Sequence, residues 1–141
     1  MSALYSTQVS AVGGRNGTVR SSDGLLDLQL ALPAALGGKG DNPNPEQLFA
    51  AGYAACFGNA VIHVTRNKEK KIKDADVEVD ATVGMVSDNN GGFVLTVALD
   101  VVIAGVDQAT AEEIVATAHQ VCPYSNATRG NIDVVLSTRT R

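Results

Sequence analysis

The sequence lacks the features that mark nucleic-acid-binding proteins. Its formal net charge is −4 and its pI about 5.0, so positive charge is in deficit. The only clustered positive charge is the run RNKEKKIK at residues 66–73, which we interpret as a solvated helix end or loop. Because proteins that bind nucleic acid usually concentrate Lys and Arg on one face, we expect no nucleic-acid partner.

The sequence also has no long apolar run and no pattern of a secretory leader. The first residues, MSALYSTQVSAVGG, combine neither a basic start nor a continuous apolar segment. The longest apolar stretch, residues 48–64, is interrupted by glycine, asparagine and histidine, which makes it too short and too polar for a membrane span. We therefore expect a cytoplasmic protein with no membrane partner.

Cysteine is scarce: the chain has only Cys56 and Cys122, 66 positions apart. Two cysteines cannot form the disulfide framework of a small secreted domain. In the cytosol a pair of thiols is more often catalytic or redox-sensing than structural. Free cysteine also packs as a small apolar side chain, and Cys56, in an apolar helix, fits that description. Both interpretations remain open on composition alone.

The apolar content of 45% and the pattern of the chain predict one α+β domain over residues 1–141, with antiparallel sheets packed around two main helices. Alternating segments and glycine-rich turns favour strands, whereas Asn44 as N-cap, Pro45 and Glu46 favour a helix start. Pro123 is expected to end the second helix. The expected elements are an N-terminal β-meander at 1–32, a central helix at 44–66, a β-hairpin at 75–104, a second helix at 108–122 and a C-terminal strand at 131–138.

The central helix is apolar on every side, which is typical of a buried helix and favours a homodimer. Its geometry points the same way. Glu46 and Cys56 are ten residues apart, about 15 Å along one helix, and lie on different faces. A site that used both residues would therefore need a second copy of the chain.

A reactive thiol at either position needs a cation from elsewhere in the chain. Cys56 lies mid-helix, where burial raises the thiol pKa, and Cys122 lies at a helix C-terminus, where the dipole disfavours an anion. Neither cysteine is expected at a helix N-terminus. Arg15, in the turn GGRNG, is the preferred cation and Glu46 its anionic partner. Arg20 ranks second, because it lies in a predicted strand.

The two histidines do not indicate a metal site. Neither His63 nor His119 forms a C-x₂-C or H-x₃-H spacing with the cysteines or with each other, so we expect no metal and no cofactor. The polar residues of YSNATRGN, which include Ser125, Asn126 and Arg129, are interpreted as turn and helix-end chemistry.

Two long motifs, NPEQLFAAGYAACFGNAV and AHQVCPYSNATRGNIDV, each carry one cysteine. Together with GGRNGTVRSSDGLLDLQLALP and GGKGDNPNPEQ they resemble the organic hydroperoxide resistance proteins of the OsmC/Ohr family, and the similarity covers essentially the whole chain. The resemblance implies an α+β fold of the OsmC/Ohr type in an intertwined homodimer, with two active sites at the subunit interface.

The resemblance also implies a function. Such proteins are thiol-dependent peroxidases that reduce organic hydroperoxides to alcohols and are recycled by a dithiol, usually a lipoyl group. By motif, Cys56 would be the peroxidatic thiol, Cys122 the resolving thiol, and Arg15 and Glu46 the activating pair. Four apolar side chains could line an entrance to the active site, with core packing as the alternative: Leu48, Phe49, Tyr53 and Phe57. The alternatives are a peroxidase of the OsmC branch with another substrate preference, or a redox-sensing protein whose cysteines do not turn over.

Overall fold

The computed structural model describes residues 1–69 and 71–141 of the chain. These residues form two compact units, 1–48 and 49–141, each with its own three-stranded sheet. One domain over residues 1–141 stays a prediction. No helix in the described part of the chain combines the length and the apolar character that a membrane span requires.

The first unit is built on an antiparallel meander in the order β1-β2-β3. Its strands are β1 Val9–Val12, β2 Thr18–Ser21 and β3 Asp27–Gln29. The sequence predicts a β-meander over residues 1–32, but its first strand starts only at Val9. Strand β2 ends at Ser21, the partner of Val9, and beyond that pair the Ser22 amide donates to the Gln8 carbonyl at 2.9 Å.

The sheet of the second unit consists of a hairpin and one further strand, in the order β4-β5-β6. Its strands are β4 Val77–Ser87, β5 Phe93–Ile103 and β6 Val135–Thr140. The predicted α+β class with antiparallel sheets is confirmed, and the structure adds one parallel pairing, that of β6 with β5. A helical connection between two strands returns the chain to the start of the sheet and allows parallel pairing.

The described residues form three α-helices: α1 Pro45–Val64, α2 Gln108–Val121 and α3 Pro123–Thr128. The start of α1 is fixed by a reciprocal cap, in which the Gln47 amide donates to Asn44 Oδ1 (3.0 Å) and the Asn44 amide donates to Gln47 Oε1 (3.1 Å). The basic run expected at 66–73 follows α1, and its described charged side chains are exposed. Its Lys70 lies outside the described residues.

Helix α2 ends at Val121, as the proline at position 123 predicts, because the residue before a proline is disfavoured in the helical conformation. The sequence does not predict α3, which forms where turn chemistry is expected. The amides of Asn131 and Ile132 donate to the Thr128 carbonyl and close the helix. Strand β6 therefore starts at Val135 and not at residue 131.

The core of the second unit lies between its sheet and its helices. The buried side chains of α1 are Tyr53, Phe57, Ala60 and Val61, and the other residues of this helix are half-buried or exposed. Burial of α1 on every side, as its composition predicts, is therefore not reached within one chain. Further buried core residues are Leu99, Val101, Ile103, Ala111, Ile114, Val115 and Ala118.

Candidate active site

Arg15 is held in a tight turn between β1 and β2. The turn is a short 3₁₀ segment over Gly14–Asn16, and Gly13 and Gly14 adopt positive φ angles of 84° and 62°. Glycine adopts this left-handed conformation without the steric cost that a side chain would carry. At Gly17 an added Cβ would lie 1.7 Å from the carbonyl oxygen of Val12, so this position also excludes any side chain.

The guanidinium of Arg15 forms a two-point ion pair with Glu46 in the first turn of α1. Nη1 donates to Oε2 at 2.7 Å, and Nη2 donates to Oε1 at 2.6 Å. The hydrogen bonds raise the pKa of Arg15 and lower the pKa of Glu46. Glu46 is the more buried partner, with 17% of its side chain exposed against 36% for Arg15. The pairing of these two residues, expected from the sequence, is present.

Arg20, the second-ranked cation, is differently placed. It lies on β2 and approaches Asp27 at 3.8 Å between Nε and Oδ2. Both side chains are largely exposed, at 70% and 64%. An exposed pair at this distance contributes little, because water screens both charges. The geometry of the first unit therefore favours Arg15 over Arg20 as a pre-organised cation.

The two cysteines of the chain meet in the second unit. Cys122 is fully buried and Cys56 is half-buried, and the Cys122 thiol donates to Cys56 Sγ across 3.7 Å. Both are free thiols. A disulfide has an S–S length of about 2.05 Å, so a displacement of roughly 1.7 Å would join them. Inert core packing does not require two thiols of one chain to face each other, which favours the redox interpretation.

The backbone at Cys122 corrects one expectation from the sequence. Cys122 is the C-cap of α2 and at the same time the N-cap of α3, with an extended conformation (φ −62°, ψ 124°). One cysteine therefore does lie at a helix N-terminus, because the chain restarts a helix at Pro123. The Tyr124 amide, in the first turn of α3, donates a hydrogen bond to the sulfur of Cys56.

The environment of Cys56 disfavours the thiolate on balance. Burial raises the pKa of the Cys56 thiol, the Tyr124 amide lowers it, and the neighbouring Cys122 raises it again. The balance leaves the pKa above its ordinary value. The dithiol itself thus does not provide an activated nucleophile, and the requirement for a cation stays a prediction.

A buried polar network beside the dithiol has no counterpart in the sequence analysis. The Tyr53 hydroxyl contacts Ser125 Oγ at 2.8 Å and Thr128 Oγ1 at 3.3 Å, and His119 Nδ1 contacts Ser125 Oγ at 2.8 Å. Tyr53, Ser125 and Thr128 are all almost completely buried. The one available signal was Tyr53, since a buried tyrosine usually finds a hydrogen-bond partner for its hydroxyl.

Other candidate residues have simpler placements. Tyr53 and Phe57 are fully buried in the core, and Leu48 and Phe49 are half-buried. His63 is exposed near the end of α1. Burial and the charge of Arg129 lower the pKa of His119. Across residues 1–69 and 71–141, no cluster of histidine, cysteine and acidic side chains has the arrangement of a metal site.

Comparisons with known proteins show which family the chain belongs to. The family model described as OsmC-like protein matches residues 38–137. The chain is 50% identical over 135 residues to an organic hydroperoxide resistance protein of Xanthomonas axonopodis pv. citri, covering 95% of this chain and 94% of the relative. It is 45% identical to the organic hydroperoxide resistance protein OhrB of Bacillus subtilis, covering 97% and 99%.

Among solved structures, an organic hydroperoxide resistance protein of Vibrio cholerae, crystallised with captopril in one of its active sites, superimposes with a TM-score of 0.93. It is 51% identical in sequence, and the match covers 98% of this chain and 94% of that one. With a family model over residues 38–137 and relatives that match almost end to end, the chain belongs to the OsmC/Ohr family.

Proposed function

We propose that this protein is a thiol-dependent peroxidase that reduces organic hydroperoxides to alcohols. The observation that carries the proposal is the pair of free thiols, Cys56 and Cys122, with their sulfurs 3.7 Å apart beside a helix start. The names of the relatives supply the substrate class. Free thiols at this distance also fit a reducing compartment, and we propose the cytoplasm.

The first half of the reaction takes place at Cys56. Its thiolate attacks the outer oxygen of the hydroperoxide, the O–O bond breaks, and the alkoxide takes a proton and leaves as the alcohol. Sulfur is oxidised by two electrons and becomes a sulfenic acid. The Tyr124 amide already donates to this sulfur and remains available as the charge moves from sulfur to oxygen.

The second half resets the sulfur. The Cys122 thiol attacks the sulfur of the sulfenic acid and an S–S bond forms. The hydroxyl of the sulfenic acid takes the thiol proton and leaves as water. An external dithiol, for which we propose a lipoyl group, then reduces the disulfide by two successive exchange steps and becomes a disulfide itself. The short distance between the thiols favours condensation over further oxidation of Cys56 to the sulfinic acid.

We further propose that Arg15 and Glu46 activate Cys56. A guanidinium near the thiol would lower its pKa and stabilise negative charge on the leaving oxygen, and Glu46 would balance the guanidinium when the thiolate is spent. The two-point pair supports this role, because it fixes the orientation of the guanidinium.

Mass spectrometry with cysteine variants tests the proposal. After one equivalent of cumene hydroperoxide, the unmodified protein should lose two hydrogens and yield a cross-linked 56–122 peptide. With dihydrolipoamide it should turn over. Cys56→Ser should abolish consumption of the hydroperoxide, whereas Cys122→Ser should complete one turnover and then gain the mass of a sulfinic acid.

Two outcomes would contradict the proposal. Consumption of hydroperoxide by Cys56→Ser at the parental rate would show that the thiol is not the nucleophile. Oxidation of the unmodified protein without turnover by any dithiol would instead indicate a redox sensor. Reduction of hydrogen peroxide and small hydrophilic peroxides at the same rate as cumene hydroperoxide would indicate the OsmC branch.

A further inference from the structure

Two side-chain pairs with equal spacing join helix α1 to helix α3 and its N-cap, Cys122. Tyr53 pairs with Ser125, and Cys56 pairs with Cys122, so the partners are three residues apart on both sides. Residues three apart on a helix lie on one face. The hydroxyl pair (2.8 Å) and the thiol pair (3.7 Å) therefore hold the same two segments against each other.

The hydroxyl pair is anchored more firmly than the thiol pair. Ser125 is fully buried and contacts Tyr53 on α1 and His119 on α2, both at 2.8 Å. Thr128 donates to the carbonyl oxygen of Ser125 at 3.1 Å and contacts the Tyr53 hydroxyl at 3.3 Å. Ser125 is thus the residue at which α1, α2 and α3 are connected by polar contacts.

The number of protons in this network fixes its direction. Four hydrogen bonds link the four side chains and the Ser125 carbonyl, but the hydroxyls of Tyr53, Ser125 and Thr128 supply only three protons. The fourth must come from Nδ1 of His119. His119 then donates to Ser125, Ser125 donates to Tyr53, Tyr53 to Thr128, and Thr128 to the Ser125 carbonyl. In this arrangement every hydroxyl both donates and accepts.

A short covalent path connects the network to Cys122. The amide of Asn126 donates to the Cys122 carbonyl at 2.9 Å, so Cys122 and Ser125 belong to the same first turn of α3. Fixing the Ser125 side chain on α1 and α2 therefore fixes the position of the Cys122 sulfur and of the Tyr124 amide, both of which contact Cys56.

We propose that Ser125, held by Tyr53 and His119, is a positioning residue that keeps Cys122 within reach of Cys56 for disulfide formation. The role of Cys122 as resolving thiol rests on the proposed function. The positioning itself is a property of the dithiol and is expected with any oxidant. Formation of the bond between Cys56 and Cys122 removes two protons and two electrons from the thiols. Oxidised glutathione accepts both and becomes two molecules of reduced glutathione.

The test is the equilibrium constant of the 56–122 disulfide in glutathione redox buffers, read as the oxidised fraction by thiol alkylation and mass spectrometry. Ser125→Ala removes the central hydroxyl, and Tyr53→Phe removes its partner while keeping the ring. We expect each to lower the constant about tenfold, which is about 30 mV for a two-electron couple. No hydroperoxide is used, so the result does not depend on peroxidase activity.

Thr65→Val is the matched control. Thr65 directly follows the C-terminal end of α1 and is 1% exposed. Its hydroxyl donates to the carbonyls of Val61 and Ile62. Thr65→Val loses a buried hydroxyl and some stability, as Ser125→Ala does. The hydrogen bonds that it removes go to Val61 and Ile62 and not to the segment of Cys122. Its disulfide constant should equal that of the unmodified protein.

Three results are decisive. A tenfold loss in both Ser125→Ala and Tyr53→Phe, with Thr65→Val unchanged, supports the proposal. A constant within twofold of the unmodified protein in both variants overturns it, although a normal 56–122 disulfide would still support the peroxidase. An equal loss in all three variants overturns it too, because it would show a general effect of destabilisation.

Discussion

At Cys56 the surroundings act on the thiol in opposite directions. Burial and Cys122 hold its pKa up, and only the Tyr124 amide within the second unit lowers it. A thiol with a raised pKa is mostly protonated at neutral pH and reacts slowly with peroxide. An additional source of positive charge is therefore the missing component, and Arg15 carries that role in the proposed function.

Replacement of Arg15 tests this role directly. In Arg15→Ala we expect the pKa of Cys56 to rise by one unit or more, which corresponds to about 1.4 kcal/mol per unit. The thiolate fraction below that pKa then falls about tenfold per unit, and the pH profile of peroxide reduction moves to higher pH. Thiol alkylation rates as a function of pH measure the shift.

Arg20→Ala is the control for this prediction. It removes one arginine from the same unit, and it too has an acidic partner, but the pair is exposed and its atoms are 3.8 Å apart. The Cys56 pKa should not change. An unchanged titration in Arg15→Ala, or an equal shift in Arg20→Ala, would mean that no specific guanidinium activates the thiol.

At the scale of elements, the sequence predicts most where the signal is local. The caps at Asn44 and Pro45, the stop at Pro123 and the alternation of the hairpin all act within a few residues. Helices α1 and α2 and the hairpin of β4 and β5 lie close to the expected ranges. The short helix α3 spans only six residues, too few for a periodic pattern to distinguish it from a turn.

Contacts between distant segments were much less accessible from the sequence. The parallel pairing of β6 depends on β5, more than 30 residues earlier. The hydrogen bond between Tyr53 and Ser125 joins positions 72 apart, and nothing near Ser125 in the sequence distinguishes it from a turn residue. Arg15 and Glu46 could be paired in advance because their roles follow from charge and not from fold.

The contact between α1 and α3 leads to a prediction about Gly52. A Cβ added there would lie 2.5 Å from the Tyr124 hydroxyl oxygen and 3.0 Å from Cζ, too close unless the ring moves. Alanine for glycine inside a helix normally stabilises by about 0.5–1 kcal/mol. Here we expect displacement of Tyr124 to cancel this gain, so Gly52→Ala should be neutral or destabilising.

A double-mutant cycle isolates the effect. In a Tyr124→Ala background the added methyl group meets no ring, and Gly52→Ala should raise the free energy of unfolding by about 0.5–1 kcal/mol. Urea denaturation of the four proteins under reducing conditions gives the coupling energy. The same effect of Gly52→Ala in both backgrounds would show that the Tyr124 ring does not restrict α1.

At the scale of the whole molecule, one chain leaves much apolar surface exposed. Large apolar side chains that are mostly exposed occur in both units; examples are Leu4, Val12 and Leu25 in the first and Phe93 and Val135 in the second. Apolar surface of this kind is a common mark of a protein interface. On α1, Ala51, Ala55 and Asn59 form an exposed line at a spacing of four, on one face of the helix.

This small-residue face explains why the composition of α1 predicts complete burial while one chain does not provide it. Small side chains let another backbone approach closely, so the homodimer expected from the sequence would bury this face of α1. We therefore predict that Ala55→Glu, which places a charge in the middle of the line, converts the dimer to a monomer. Light scattering coupled to size-exclusion chromatography at several concentrations measures the mass.

Ala116→Glu is the matched control, because Ala116 is an exposed residue of α2 and its replacement should leave the mass at that of the dimer. A monomeric mass for the unmodified protein, or a dimeric Ala55→Glu, would contradict the use of this face.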